Sequence, residues 1–401
     1  MNICFLSYRE NNPYIGGIEN VTYALSKEFT RRGHSVICLS QIRSKIEKPY
    51  TLVCKELFLP DNEQINSKTN LNFLCKLIEE EHIDIIINQY STTIGYSELC
   101  HNAQLQCGKV KIITPLHLEP EQSIKSIKNN FFIKYKNRAN IKAWITDVAL
   151  FLKFHLYKKN IQYKQIKKEL NYIISASDKV VLMSDNTRAD IERILENECN
   201  EKFCSISNPI TANNDIAHTT AKKRQIIYVG RLEFGHKRID RIINIWRKIE
   251  RSNQDWCLKI IGDGACRGDL EKIVKKENIA RLHFEGYKDP QEYYQEASVI
   301  CLTSSSESFA VVLAEAQSYG CIPIAYNSYS ALSDIIIDGH NGYTIPAFNE
   351  NIFVEKLQKL MKNDSLRHSM SRNAIEHSKR FNINIIADKW ENLFHNLTYN
   401  H

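Results

Sequence analysis

The sequence has no run of eighteen apolar residues, which excludes an ordinary membrane-spanning helix. The nearest approach, 143–156, is broken by Asp147, Lys153 and His155. Twelve cysteines are present without a single C-x-x-C pair, so no thioredoxin-like redox motif and no zinc knuckle is encoded. Several fall in strand-like runs, where cysteine behaves as a small apolar residue; reduced structural thiols and a cytoplasmic compartment are expected. G-x-G-x-x-G is missing, which counts against a dinucleotide site. D-x-D is missing too, and no His/Asp cluster accompanies Asp263 in Gly262-Asp263-Gly264, so that residue reads as structural and no metal is expected. The first residues carry no charged segment followed by a long apolar one. The expectation is a mature chain that starts at Met1, on a strand.

What is present is an alternation. The 401 residues, 43% of them hydrophobic, favour two or three domains with sizeable cores. Strand-like runs rich in Ile, Val, Leu and Cys at 2–7, 35–40, 83–88, 111–114 and 179–183 alternate with helical patterns, which predicts a parallel sheet covered on both faces. The first helical stripe carries Ile18, Val21, Leu25 and Phe29 and ends near Arg32-Gly33. Polar, aperiodic residues at 209–224 read as a linker. A second strand and helix series then starts at Gln225, with strands at 225–230, 256–261, 282–287, 297–302 and 321–326. The fold class is α/β, with a first domain at 1–208, a second at 225–380, and a last helix near 383–397 carrying Trp390 and Phe394.

The chain is organised around residues 297–319. A buried strand leads into a serine-rich turn, and an apolar helix begins at Val311, is stopped by Gly320 and cannot resume past Pro323. A helix N-terminus opening beyond a strand end is an anion site, because backbone N–H groups and the positive end of the dipole face outward. Glu307 lies on the turn and Glu315 lies inside the helix, eight residues on. A carboxylate among Val311, Val312, Leu313, Ala314 and Ala316 is costly to bury unless something hydrogen-bonds it, and ligand hydroxyls would do so.

Three further stretches bear on chemistry. Arg231 and Lys237 sit six apart on a loop bracketed by Gly230 and Gly235, placed to converge on one diphosphate, with Arg238 an alternative to Lys237. Cations at a helix start oppose the dipole, so some anion should compensate them. His117 follows the run at 111–114 and Pro115, which is expected to end the strand; ligands of open α/β sheets sit outside such strand ends. Gly16-Gly17, between the first strand and first helix, would let backbone approach a phosphate or sugar, though a plain tight turn explains the pair equally well.

Charge is uneven. Residues 123–170 hold twelve Lys and Arg against only Asp147 and Glu169, which exceeds the net +7 of the whole chain. Phe131, Phe132, Tyr135, Trp144, Phe151, Phe154 and Tyr157 are interleaved with them. The segment 121–170 reads as a helical excursion suited to an anionic membrane surface or an acidic acceptor; a solvated helical face explains the same pattern. No RNA-binding or helix-turn-helix pattern accompanies it, so nucleic acid is not expected.

Glu307-x7-Glu315 with Ser308-Phe309-Ala310, Gly230-Arg231-Leu232 followed by Lys237, and Gly16-Gly17-Ile18-Glu19 together resemble the signature of the retaining glycosyltransferases of family four, which have the GT-B fold. The resemblance is strongest over 225–346, recognisable at 2–40 and near His117, and nearly silent over 121–205. It implies two doubly wound Rossmann-like domains facing across a cleft, with the last helix crossing back onto the first domain. It also implies metal-independent transfer of a hexose from a nucleotide-sugar to an acceptor hydroxyl, with retention. The acceptor would be a carbohydrate or lipid-linked saccharide of bacterial surface polysaccharide or lipopolysaccharide synthesis, met on the cytoplasmic face of the membrane.

By the same resemblance, Glu307 would meet the transferred sugar or its oxocarbenium-like centre, and Glu315 would hold the ribose hydroxyls. His117 would stand near the reacting carbon, and backbone around Tyr287 and Lys288 would meet the base. Arg231, Lys237, Gly16, Gly17 and the backbone from Ser308 through Phe309 and Ala310 to Val311 would hold the donor. Ala310 stands where the family usually has glycine, and its methyl could narrow donor choice. A non-catalytic sugar- or membrane-binding module of the same fold is the competing reading; degraded phosphate ligands would favour it, whereas Arg231, Lys237, Glu307 and Glu315 are all in place.

Overall fold

The computed structural model describes residues 1–44, 50–117, 159–196, 201–211 and 222–399. Two compact units result: of the described residues, those within 1–117, 160–211 and 381–399 belong to the first, and Lys159 with those within 222–380 to the second.

In the first unit the strands are β1 (Asn2–Arg9), β2 (Ser35–Ile42), β3 (Lys55–Phe58), β4 (Ile85–Asn88), β5 (Lys111–Leu116), β6 (Lys179–Leu182) and β7 (Phe203–Ser205). Their order is β3-β2-β1-β4-β5-β6-β7, all parallel, so the direction of winding reverses between β1 and β4. Side chains alternate across this sheet. Cys4, Leu6, Ile86 and Ile112 face the helices Lys68–Glu80 and Ile94–Cys107 through Leu74, Leu77, Leu99 and Cys100. Phe5 faces the other way and stacks on Phe29 of the helix Gly17–Arg31, with ring centroids 6.2 Å apart. Each such side chain, once fully buried, contributes about 1.5–3 kcal/mol.

The last helix, Ile383–Tyr399, packs on this same unit. Phe394 meets Phe29 at 5.4 Å. Arg32 joins Glu28 of the Gly17–Arg31 helix to Asp388 and Glu391 of the last helix, and His34 Nε2 lies 2.8 Å from Glu391.

The second unit contains β8 (Lys223–Val229), β9 (Cys257–Ile261), β10 (Leu282–Gly286), β11 (Ala297–Leu302), β12 (Ile322–Asn327) and β13 (Tyr343–Pro346), again all parallel. The order β10-β9-β8-β11-β12-β13 reverses between β8 and β11. That switch is where an open α/β sheet holds its ligands, and the loops leaving β8 and β11 are 230–238 and 303–310. The helix Ile239–Ile249 buries Ile239, Ile242, Ile243, Ile245, Trp246 and Ile249 on one stripe, as its 3.6-residue spacing requires.

The structure corrects several expectations. Pro115 does not end β5: the ladder to β4 stops at Ile87↔Ile113, while the ladder to β6 continues to Leu116↔Leu182. The proline therefore lies where the missing N–H has no β4 acceptor to fail. The edge strands β3 and β7 are absent from the sequence-based reading because they are short and half-exposed, without an apolar run. Residues 209–224 are not a uniform linker. The Ile210 N–H donates to Phe381 O at 2.9 Å within the first unit, and Lys223 and Arg224 already belong to β8. Residues 212–221 lie outside the described residues, as does most of the basic excursion; of 121–170, only the start of the helix Lys159–Ser175 is described.

Candidate functional site

Backbone approach builds the floor of the site in the second unit. Gly262 packs so closely on the β8 loop that a Cβ would lie 2.1 Å from Gly230 O, and one on Gly264 would lie 2.4 Å from Leu232 O. Gly230 N–H donates to Ile261 O and Leu232 N–H to Asp263 O, both at 3.0 Å. Asp263 spends its carboxylate on Gly264 N–H and on Arg267, in keeping with a structural residue.

The 303–306 turn is then stitched to the 235–238 loop. Ser305 N–H donates to His236 O at 2.7 Å, Ser305 Oγ to Gly235 O at 3.2 Å, and Thr303 Oγ1 to Arg238 O at 3.0 Å. Arg241, its guanidinium 3.8 Å from the Phe348 ring centroid, donates to Thr303 O at 3.4 Å. Ser328 Oγ holds Ser304 O at 2.8 Å. So anchored, the turn presents Glu307: Lys237 Nζ donates to Glu307 Oε1 at 2.5 Å, and Ser304 Oγ donates to the same oxygen at 2.7 Å.

Lys237 and Glu307 therefore neutralise each other, both largely buried at 26% and 12% exposure. Arg238 is committed elsewhere. It forms a bidentate pair with Asp240 at 2.9 Å, and at φ +47° it precedes the helix Ile239–Ile249 in a left-handed conformation. The anions expected to balance a basic helix start are thus Asp240 and Glu307, supplied by the protein itself. Arg231 is exposed, and among the described residues its guanidinium has no carboxylate partner.

The helix Val311–Ser318 follows at once. Ala310 precedes it at φ +50°, ψ +56°, a left-handed conformation that costs a non-glycine residue about 1–2 kcal/mol. Phe309 is fully buried and anchors the turn, so only its backbone can face a ligand; Ser308 and Val311 are partly exposed. Glu315 keeps some accessible surface, yet burial pushes its carboxyl up to about 7 against the hydrogen bond donated by Tyr294 OH at 3.1 Å. Tyr287, 56% exposed, sits just past β10, and Lys288 pairs with Glu285.

In the first unit, Gly16 precedes the helix Gly17–Arg31 in extended backbone, and a Cβ on Gly17 would meet no protein atom within 4 Å. Neither glycine is required by a left-handed turn. His117 stands just beyond β5, buried, with Nε2 2.6 Å from Gln89 Oε1; burial pushes the imidazole down to about 4, so it is neutral at physiological pH. The structure thus gathers Arg231, Lys237, Glu307, Ser308, Phe309, Ala310, Val311 and Glu315 at the switch point of the second unit, while Gly16, Gly17 and His117 belong to the first. Sequence reasoning missed Ser304, Tyr294, Arg241 and Gln89. Tyr294, Arg241 and Gln89 act through partners distant in sequence that no spacing signals, and Ser304 acts on Glu307 three residues on, within a serine run where nothing singles it out. Among the described residues no three His, Cys, Asp or Glu side chains gather to hold a metal ion.

Comparison with known proteins gives consistent findings. Residues 15–213 match the family described as Glycosyltransferase Family 4, and residues 211–377 match Glycosyl transferases group 1. The chain is 30% identical over 175 residues to the amylovoran biosynthesis glycosyltransferase AmsD of Erwinia amylovora, an alignment covering 43% of this chain and 48% of that protein. It is 22% identical, over 67% of its length and 75% of the other's, to a Campylobacter jejuni alpha-1,4-N-acetyl-D-galactosaminyltransferase named for an undecaprenol-diphosphate-linked acceptor. The chain spans about half the length of curated relatives such as AmsD. Among solved structures, Anabaena HepE in complex with UDP and glucose superposes with a TM-score of 0.72 at 14% identity, covering 98% of this chain and 99% of that one. The lipopolysaccharide outer core galactosyltransferase WaaB gives 0.67 at 17% identity, covering 98% of both chains.

Proposed function

The chain belongs to the family-four glycosyltransferases of the GT-B fold, and on that premise we propose that it moves a hexose from a nucleotide-sugar to an acceptor hydroxyl with retention of anomeric configuration. The observation that carries the reading is the pairing of Lys237 with Glu307 on a turn at the sheet's switch point, one turn before a helix N-terminus and eight residues before a second buried carboxyl.

In this reading the donor diphosphate takes Lys237 away from Glu307, with Arg231 and the first N–H groups of the Val311–Ser318 helix completing the anion site. Glu307, released, turns to the sugar. The bond from the anomeric carbon to the diphosphate breaks, the acceptor oxygen bonds to that carbon from the same face, and the acceptor proton passes to the departing phosphate. Fixed donors at developing charge are each worth about 10²–10³ in rate. Glu315 holds ribose hydroxyls. Charge on the leaving group is met by protein cations, so turnover should survive a chelator.

Relatives named for polysaccharide and polyprenol-linked acceptors support a carbohydrate or lipid-linked saccharide acceptor in bacterial surface-polysaccharide synthesis. The basic composition of 123–170 supports a peripheral position on the anionic cytoplasmic face of the membrane. That part is tested by sedimentation with anionic liposomes at low and high salt, where indifference to lipid charge refutes it.

The deciding experiment is a thermal-shift panel of UDP-glucose, UDP-galactose, UDP-N-acetylglucosamine, GDP-mannose, UDP and GDP, with and without EDTA. Ligand at about 100-fold over its Kd should add about 2.7 kcal/mol of stability. An EDTA-insensitive shift lost in Arg231→Ala supports the transferase; no shift with any nucleotide favours a non-catalytic module.

A further inference from the structure

Reduced, structural thiols are the expectation for all twelve cysteines, but the surroundings of two of them set those two apart. In the first unit Cys38 Sγ and Cys54 Sγ lie 3.3 Å apart, in hydrogen-bond contact, although fifteen residues separate them in sequence. The sheet register makes the contact. Cys38 pairs with Phe5 of β1 and so shares its face, the one the Gly17–Arg31 helix covers through Phe29. On the other side Cys38 pairs with Glu56 of β3, and Cys54, two residues earlier at the entry to that strand, comes to the same face.

The two thiols are unlike. Cys38 is fully buried, whereas Cys54 is partly exposed. The hydrogen bond from Cys38 holds the Cys54 thiol below its ordinary value, and hydrogen bonds from Ser26 and Asn11 act the same way, against burial and the Glu56 carboxylate. That same hydrogen bond, together with burial, pushes Cys38 well up. A thiolate next to a thiol that keeps its proton is a nucleophile beside a resolving partner. Ser26 belongs to the Gly17–Arg31 helix and Asn11 to the loop after β1, and Asn11 Nδ2 also donates to Ser26 Oγ at 3.0 Å. The Cys54 sulfur therefore anchors that loop. Cys75 and Cys107, also neighbours, lack such support: burial pushes Cys75 up to about 12.

We propose that Cys38 and Cys54 form a redox-active dithiol that exchanges with low-molecular-weight disulfides, Cys54 attacking and Cys38 resolving, and that its oxidation releases the loop after β1. In the first step the Cys54 sulfur bonds to one sulfur of the small disulfide, whose own S–S bond breaks and whose other half leaves as a thiolate. That thiolate takes the Cys38 proton. The Cys38 sulfur then bonds to Cys54 Sγ and the second half leaves as a thiolate, so two electrons pass from the protein to the small disulfide. Once in a disulfide, Cys54 Sγ carries no charge and accepts hydrogen bonds only weakly, and Asn11, 2% exposed, loses a partner. This chemistry does not depend on the transferase reading.

Two measurements test it. The reduced full chain is equilibrated with glutathione buffers of rising disulfide fraction, quenched in acid, alkylated and digested with trypsin. Peptides 33–43 and 46–55 carry Cys38 and Cys54 as their only cysteines, and they should become linked before any other pair. In Cys38→Ala the glutathione adduct should accumulate on Cys54, and in Cys54→Ala the Cys38 thiol should stay free. No linkage in the wild type even with glutathione disulfide alone, or an adduct on Cys38 in Cys54→Ala, overturns the dithiol. Hydrogen exchange then compares the reduced and oxidised wild type. The amides of Asn12 and Ile15, bonded to Glu10 O and Asn12 O, should exchange about 10-fold faster after oxidation and recover with dithiothreitol; that factor is what one hydrogen bond to a charged group contributes. An unchanged rate in the oxidised chain overturns the release of the loop.

Discussion

Binding of a nucleotide-sugar should release close to one proton just below neutral pH, and Glu315 should be its source. Burial raises that carboxyl to about 7, and among the described residues only Tyr294 OH donates to it. In the proposed complex ribose hydroxyls would donate too, and donors to a carboxylate favour its ionised form. If the bound pKa returns to the ordinary value near 4.5, affinity should rise about 70-fold between pH 5 and pH 8 and level off above 7, with about 0.9 proton released at pH 6.

A nucleotide-sugar is the right probe because its esterified diphosphate does not titrate in that range. Calorimetry in two buffers of different ionisation enthalpy reads the proton directly, and Glu315→Gln should abolish both release and slope. Identical pH slopes in the wild type and Glu315→Gln would refute the reasoning. The same linkage fixes a sign for stability. The folded protein holds this proton more tightly than the unfolded chain, so the contribution is full below about pH 4.5. It fades as pH rises through 7, by at most about 3 kcal/mol. Glu315→Gln should flatten that part of the pH–stability curve.

The Lys237–Glu307 pair, with both partners half-buried or more, should show a coupling of about 1–3 kcal/mol in a denaturation cycle of Lys237→Met, Glu307→Gln and the double variant without ligand; additivity would mean the pair is not formed. At Ala310, Val should cost about 2 kcal/mol or more by thermal melting because a β-branched residue resists positive φ, whereas Gly should stay within about 1 kcal/mol of wild type. A harmless Val would disprove the left-handed turn. Glu28 is held below the ordinary carboxylate range by its hydrogen bonds to Arg31 and Arg32, so its stabilisation should be present above about pH 4.5 and vanish as pH falls below it. Melting curves of Glu28→Gln should converge with wild type in acid, and a constant gap would contradict the assignment.

Much of this architecture is written locally. Ala297–Leu302 is a buried strand, apolar but for Ser298, and the helix after it is punctuated by Gly320, so the placement of Glu307 and Glu315 follows from spacing alone. The Ile239–Ile249 stripe is equally plain. What spacing cannot carry is the choice a side chain makes among distant partners. Arg238 and Lys237 are adjacent and both basic, yet Asp240 claims one and Glu307 the other, because the left-handed residue before the helix turns them apart.

Pro115 looks like a terminator until the unequal lengths of its two neighbouring ladders are known. Gln89 looks like a polar residue ending a strand until the register brings it to His117, 28 positions away. In each case the deciding quantity is which backbone or side-chain group lies opposite. That is fixed by strand order, and strand order here reverses at the switch points between β1 and β4 and between β8 and β11. The chemistry therefore gathers where sequence neighbours are least informative: a reversal opens a space outside the strand ends, and the side chains bordering it are recruited from loops far apart in the chain.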